Sequence, residues 1–282
     1  MPSTLTQIYR FPVKGLRGEP LETVVLTAGQ GVAHDRRFAV ARGDARLDPA
    51  TPRWLPKQWF VMLMRDTALA RVTCRLDATA GTIALHAPGT DPCVAPFSTV
   101  AGRAQIEAYL NTCLGVRPEG RAYWVESGAA SFTDVPQNCL SLVNLASVRA
   151  LAAHMQTAID PLRFRANLYV DGLPAWAEFD WVGSAIRIGE AMLRIPARIP
   201  RCAATSVDPE TGERAVNVVK GLRAAYGHYD MGVYAEVTRG GRIAVGDSVT
   251  PPDDAQPRSR LGHWLRFFAF LARSAPVVLR RR

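Results

Sequence analysis

One cysteine stands in a setting that suits metal or thiol chemistry. Cys202 follows Arg201 directly, and Thr205, Ser206 and Asp208 come within the next six residues. A lone cysteine is ordinarily a small buried hydrophobe, so its neighbours must carry any functional argument. Asp208-Pro209-Glu210-Thr211-Gly212 reads as a turn, with Pro and Gly supplying the special backbone angles. Ala191 to Ile195 alternates like a strand. Cys202 is therefore expected on a loop past a strand end, where functional side chains are often presented. Three more polar segments flank strand-like runs: Pro12-Val13-Lys14-Gly15, Asp35-Arg36-Arg37 and Arg163-Phe164-Arg165-Ala166-Asn167. Singly, each cation reads better as a solvated surface residue. Brought together by strand ends, they would form a cationic pocket around one thiolate. Guanidinium forks and a lysine suit phosphate and carboxylate oxygens. A soft thiolate among them suggests a metal whose other ligands come from an anionic organic cofactor.

The elements that must position these groups are mostly short strands. Leu5 to Phe11, Pro20 to Thr27 and Phe38 to Ala41 read as an opening meander. Trp59 to Leu63, Ala68 to Leu76 and Gly81 to His86 continue the strand pattern, and 88–100 reads as a loop. Helices are expected over Ala101 to Leu114, stopped by Gly115, over Leu145 to Ile159, capped by Asn144, and over Arg214 to Tyr226. Leu168 to Val170 is a strand. Ile186 to Ile195 reads as one hairpin, and Gly232 to Val249, around Gly240-Gly241, as another. The sum is an α+β, β-rich chain of barrel type with inserted helices, not a doubly wound sheet. No glycine-rich phosphate loop is present, so a nucleotide on a helix N-terminus is not expected.

The 282 residues suffice for one large or two modest domains. The net charge of +9 is concentrated at the C-terminus: 255–282 holds seven arginines and no acid, leaving 27 basic against 25 acidic residues in the body. That argues against a nucleic-acid-binding surface. Five widely spaced cysteines without a C-x-x-C argue against a disulfide framework, a structural zinc site or an iron–sulfur cluster. With no apolar run in Met1 to Gly18, a signal peptide is not expected, and a reducing, cytoplasmic compartment fits best.

Taken jointly, Tyr9-Arg10-Phe11-Pro12-Val13-Lys14, Asp35-Arg36-Arg37, Arg163-Phe164-Arg165-Ala166-Asn167, Arg201-Cys202 and Thr205 to Gly212 resemble the MOSC family. The similarity is to its two-part form with an N-terminal β-barrel domain, which includes the mitochondrial amidoxime-reducing component and its bacterial relatives. Ile243 to Val249 resembles the family's closing strand. The resemblance implies an N-terminal MOSC β-barrel domain over 1–125 and a MOSC β-barrel domain with inserted helices over 126–250, followed by a 251–282 linker and tail. It implies that Cys202 is the protein ligand to molybdenum and that the dithiolene comes from molybdopterin. Lys14, Arg36, Arg165 and Asn167 would hold that cofactor, with Arg201 beside the thiol and Asn144, Ser147 and Thr205 as further contacts. Asp208 would help deliver protons. Gly15, Ala166 and Pro200 depart from the family's common Ser, Pro and Ser.

The implied activity is molybdenum-cofactor-dependent reduction of N-hydroxylated small molecules such as amidoximes and hydroxylamines. Without an iron–sulfur motif or the ferredoxin-like domain of some relatives, electrons would come from a separate reductase or iron–sulfur protein. The alternative is a cofactor-binding, carrier or sulfur-transfer protein without reductase turnover. In the tail, Leu261, Trp264, Leu265, Phe268 and Leu271 fall on one side of an expected helix over Arg260 to Arg273, with arginines largely opposite. Such a helix can lie peripherally on an anionic membrane surface or pack on the protein itself, and both readings stand.

Overall fold

The computed structural model describes residues 3–45, 47, 54–128 and 131–252. The expected C-terminal helix lies outside the described residues. Among them, no helix is long and apolar enough to cross a membrane.

The strands, in chain order, are β1 Thr4–Arg10, β2 Glu19–Leu21, β3 Thr23–Leu26, β4 Phe38–Ala41, β5 Thr73–Asp77, β6 Thr82–His86, β7 Cys93–Pro96 and β8 Tyr123–Glu126. They continue with β9 Leu140–Asn144, β10 Leu168–Asp171, β11 Ala185–Ile188, β12 Ala191–Arg194, β13 Arg198–Pro200, β14 Asp230–Arg239, β15 Gly241–Ala244 and β16 Val249–Thr250. Three α-helices intervene: α1 Val100–Leu114, α2 Leu145–Met155 and α3 Val218–Tyr226. The protein is β-rich, as the alternating apolar runs imply.

The main sheet runs β16-β11-β12-β14-β9-β10-β1-β2, with β13 also paired to β14. Its pairs are antiparallel except β9 with β10, which are parallel and joined through α2. The opening strands are a local meander only in part: β1 pairs with β2, Ile8 facing Leu21, but the other pairings are long-range. β1 crosses to pair with β10, Thr4 facing Asp171 and Ile8 facing Leu168, and β3 pairs with β15. The N-terminal segment thus completes the sheet built from the second half of the chain. Leu5, Ile8, Leu142, Leu168, Leu193 and Val233 fill one continuous core there. β4 with β8, and β5-β6-β7, form smaller sheets around a second core that includes Phe38, Leu85, Ile106 and Trp124.

Local signals set the helix ends. Thr99 caps α1 by accepting from the Gly102 amide, and Gly115, at φ 69°, stops it. A Cβ on Gly102 would sit 2.0 Å from the Pro96 carbonyl, so glycine lets α1 seat directly on β7. Asn144 caps α2, but Gln156 in the left-handed region ends that helix earlier than its apolar spacing suggests. Three expectations are corrected. Trp59 to Leu63 is mostly irregular after a 3-10 turn at Lys57–Trp59, and 88–100 contains β7. β14 and β15 do not close a hairpin: β14 lies between β12 and β9, and β15 crosses to β3. Gly240 permits that crossing, since a Cβ there would meet the Leu26 carbonyl at 2.5 Å.

Candidate functional site

The long-range pairing of β1 carries Lys14 towards residues that are more than a hundred positions away. Tyr9 donates its amide to the Asn167 carbonyl at 2.7 Å, and Asn167 Nδ2 donates back to the Tyr9 carbonyl at 3.2 Å. Lys14 lies just beyond β1, and its amide donates to the Phe38 carbonyl, which ties this loop to β4. Asp35 accepts from the Phe11 amide at 2.8 Å, holding Arg36 beside the same loop. The polar loops therefore converge because each flanks a strand of the paired sheets.

Their meeting point is a cavity of about 360 Å³ between the two cores. Lys14, Arg36, Arg165, Asn167, Arg201, Cys202 and Thr205 all line it. Cys202 is half-buried, two residues past β13, and its carbonyl accepts from both the amide and the hydroxyl of Thr205, at 3.1 and 2.9 Å. Thr205 is thereby committed to shaping the cysteine loop. Asn167 is buried and its amide oxygen accepts from the Ser141 amide and hydroxyl, at 3.1 and 3.0 Å, so it too organises the wall.

The cations divide into two kinds. Lys14 is neutralised: its Nζ donates to Asp134 at 2.6 Å and to the Phe132 carbonyl. That lysine charge holds the Asp134 carboxyl well below the usual range, against the opposing effect of burial. Arg36 pairs with Asp35 and also donates to the Arg165 carbonyl at 2.8 Å. Arg165 and Arg201 instead spend their forks on main-chain oxygens. Arg165 donates to the Leu16 carbonyl at 2.7 Å, and Arg201 to the Met231 and Phe164 carbonyls, each at 2.8 Å. Burial, aided by the adjacent Arg36, pulls Arg165 down to about 9. Burial likewise pulls Arg201 down to about 10. Both stay charged at neutral pH. Phe11 is packed by two guanidinium groups, with Arg36 at 4.4 Å and Arg165 at 4.5 Å from its ring centre. The cavity therefore holds positive charge that, among the described residues, has no carboxylate paired to Arg165 or Arg201.

Three sequence expectations do not lead here. Asn144 and Ser147 are fully buried at the start of α2, where both donate to Glu178, at 3.2 and 2.8 Å, and neither lines the cavity. Their polar character serves the helix N-terminus and a buried carboxylate. Asp208 does not line the cavity either. Its Oδ1 accepts from the Glu210 and Thr211 amides at 2.9 Å, and its Oδ2 from Arg163 at 2.7 Å. Burial raises the Asp208 carboxyl, but those amides and Arg163 hold it below its ordinary value. Sequence reasoning missed Ser141, Asp134 and Lys57, which line the cavity, and Met62 and Met64, which form part of its apolar side. Arg163 belonged to a quoted motif without a role. Cys139, with no motif around it, also reaches the wall, and burial pushes its thiol up.

These features match a known pair of domains in sequence. The MOSC N-terminal beta barrel domain matches residues 2–132, and the MOSC domain matches residues 129–250. The chain is a MOSC-domain protein. Mitochondrial amidoxime reducing component 2 of Rattus norvegicus is 24% identical over 87% of this chain and 82% of its own length. Mitochondrial amidoxime-reducing component 1 of Homo sapiens is likewise 24% identical, over 87% and 82%. Molybdenum cofactor sulfurase of Caenorhabditis briggsae is 24% identical over 78% of this chain but only 31% of its own length. The residues of this MOSC domain fit a thiol-ligated metal with an anionic organic ligand. Cys202 supplies one soft donor, and the Arg165 and Arg201 forks supply charge with no carboxylate partner among the described residues. Among the described residues, no group of three or more His, Cys, Asp or Glu could hold a metal ion. A metal at Cys202 would need its remaining ligands from a non-protein group.

Proposed function

We propose that this MOSC-domain protein is a molybdenum-cofactor-dependent oxidoreductase that reduces N-hydroxylated small molecules, with electrons from a separate reductase or iron–sulfur protein. The observation that carries the reading is the convergence of Cys202, Arg36, Arg165 and Arg201 on one interdomain cavity. Similarity to two amidoxime-reducing components over most of their length supports the reductase class.

Cys202 would ligate the metal, and Arg36, Arg165 and Arg201 would face the cofactor's anionic groups. A molybdenum cofactor held there would supply the two-electron chemistry of such a reduction, in which two protons are taken up and the oxygen leaves as water. The protein's share is placement. Thr205 and the Arg201 fork hold the cysteine backbone, Asn167 and Ser141 fix the opposite wall, and Met62 and Met64 limit water on the substrate side. Lys14, already paired with Asp134, contributes position more than net charge. Similarity to a molybdenum cofactor sulfurase favours one second reading, cofactor binding or sulfur transfer without reductase turnover.

Metal analysis of the purified protein, identification of the extracted pterin, and amidoxime reduction with an artificial electron donor test both readings. Stoichiometric molybdenum with turnover supports the reductase. Molybdenum without turnover on any N-hydroxylated substrate supports the second reading, and absence of molybdopterin after expression in a cofactor-replete host sinks both.

A further inference from the structure

The segment after Cys202 is a strap between the two cores. A 3-10 turn, Ala203–Ser206, is followed by Val207, which is 1% exposed and belongs to the N-terminal core with Leu69 and Ala70. Gly212, at φ 77°, comes so close to the 3-10 turn Thr67–Arg71 that a Cβ would sit 2.9 Å from the Thr67 carbonyl. Arg214 then donates to the Met64 carbonyl at 2.5 Å. On its other side the strap's 3-10 turn packs against α3 and the 3-10 turn Pro161–Phe164, and one side chain from there donates to it. Arg163, 6% exposed, donates Nη1 to the Ser206 carbonyl at 3.0 Å and Nη2 to Asp208 at 2.7 Å. Arg163 sits in the 3-10 turn Pro161–Phe164 and lines the cavity together with the next residues, Phe164 and Arg165. Arg201 reaches the reverse way, donating to the Phe164 carbonyl. Cys202 is thus bracketed: Arg201 ties the chain before it to Phe164, and Arg163 ties the chain after it to the neighbouring position.

We propose that Arg163 and Asp208 are a positioning pair that sets where the Cys202 thiol stands relative to Arg165, and that Asp208 does not carry a proton in the reaction. The link is charge-assisted, buried on the arginine side and anchored on the aspartate side by two turn amides. Asp208 acts through the strap, since it lies outside the cavity that Arg163 lines. The catalytic meaning of that position rests on the reading of Cys202 as metal ligand. The geometry it controls does not.

The test is the rate of iodoacetamide labelling of each cysteine in the full-length chain, made without molybdenum cofactor and read by peptide mass spectrometry. Asp208→Asn keeps an oxygen for the turn amides and removes the charge facing Arg163. Arg163→Met removes the other half. We expect each to speed labelling of Cys202 by about threefold or more, and the double variant to go no further than the faster single. Cys93 and Cys113, half-buried elsewhere, should keep their rates. Arg163→Lys, which can restore one charged contact, should recover part of the original Cys202 rate. Buried Cys74, away from the cavity, reports unfolding; should Arg163→Met expose it, Asp208→Asn against Arg163→Lys carries the comparison. In loaded protein, Asp208→Asn should lower kcat while keeping the wild-type pH profile. Unchanged Cys202 labelling in Asp208→Asn, additive effects in the double variant, or loss of one limb of the pH profile would overturn the proposal. If Cys202→Ser retains molybdenum as the wild type does, the metal reading fails, and the labelling result still decides the positioning pair.

Discussion

Two buried polar clusters lie on either side of β9 and differ in what their partners are. Around Glu178, the protein answers every charge with protein. Asn144 and Ser147 donate to its carboxylate, Ser147 also accepts the Trp176 amide at 2.8 Å, and Asn144 donates to the Pro174 carbonyl. Around Cys202, the hydrogen bonds of Arg165 and Arg201 among the described residues go to carbonyl oxygens, their guanidinium groups lie over Phe11 and Phe164, and a cavity opens beside them. Burying a charge with only dipoles to answer it is costly. A closed cluster places that free energy in stability; an open one holds charge ready for an anion. Asn144 and Ser147 look like ligand residues in sequence because the same amide and hydroxyl groups serve either end.

The sharpest test of that contrast is to remove the thiol. Cys202→Ala is expected to fold normally and lose molybdenum and reductase activity by more than about 100-fold; wild-type metal content and turnover would erase the distinction. Glu178→Gln, in contrast, should keep molybdenum per folded molecule unchanged.

Next in size is Arg165→Lys. A planar fork that reaches the Leu16 carbonyl while facing the cavity becomes a point charge, and cofactor retention on dialysis should fall about tenfold. Equal retention would mean that Arg165 only supports the wall.

The Glu178 cluster predicts a pH signature. Burial raises its carboxyl from 4.5 to about 7, even though Ser147 and Asn144 pull the other way. The folded state then binds a proton that the unfolded state releases, so this group stabilises the fold most at low pH. Its contribution should decline as pH rises from about 4.5 to about 7 and then level off. The full swing is on the order of 3 kcal/mol. Denaturant melts of wild type and Glu178→Gln across that window measure it; parallel curves would show that Glu178 is ionised throughout.

The smallest effect is expected from Ser147→Ala. Losing one partner of a buried carboxylate and of the Trp176 amide should lower stability by about 1–2 kcal/mol, read as a lower midpoint in the same melts. Reduced molybdenum content in the folded variant would reconnect this cluster to the cofactor.

Much of the candidate site was legible because its chemistry is local. Arg201-Cys202, the turn at Asp208 to Gly212, the cap at Asn144 and the stop at Gly115 each follow from side chains acting on their own backbone. The motif order also pointed to the MOSC pair of domains before any contact was known. What the linear chain could not express is direction and pairing. Asp208 and Ser147 sit within or near polar motifs, yet their side chains turn to Arg163 and Glu178, because a buried charge binds whatever partner tertiary packing brings within about 3 Å. β1 alternates as a strand in either setting; only the sheet decides that it lies against β10, more than 150 residues away. Residue types set which groups can hold an anion or a metal. Long-range strand pairing decided which of them share one cavity, since register against a distant partner depends on packing of the whole core and not on any neighbour in the chain.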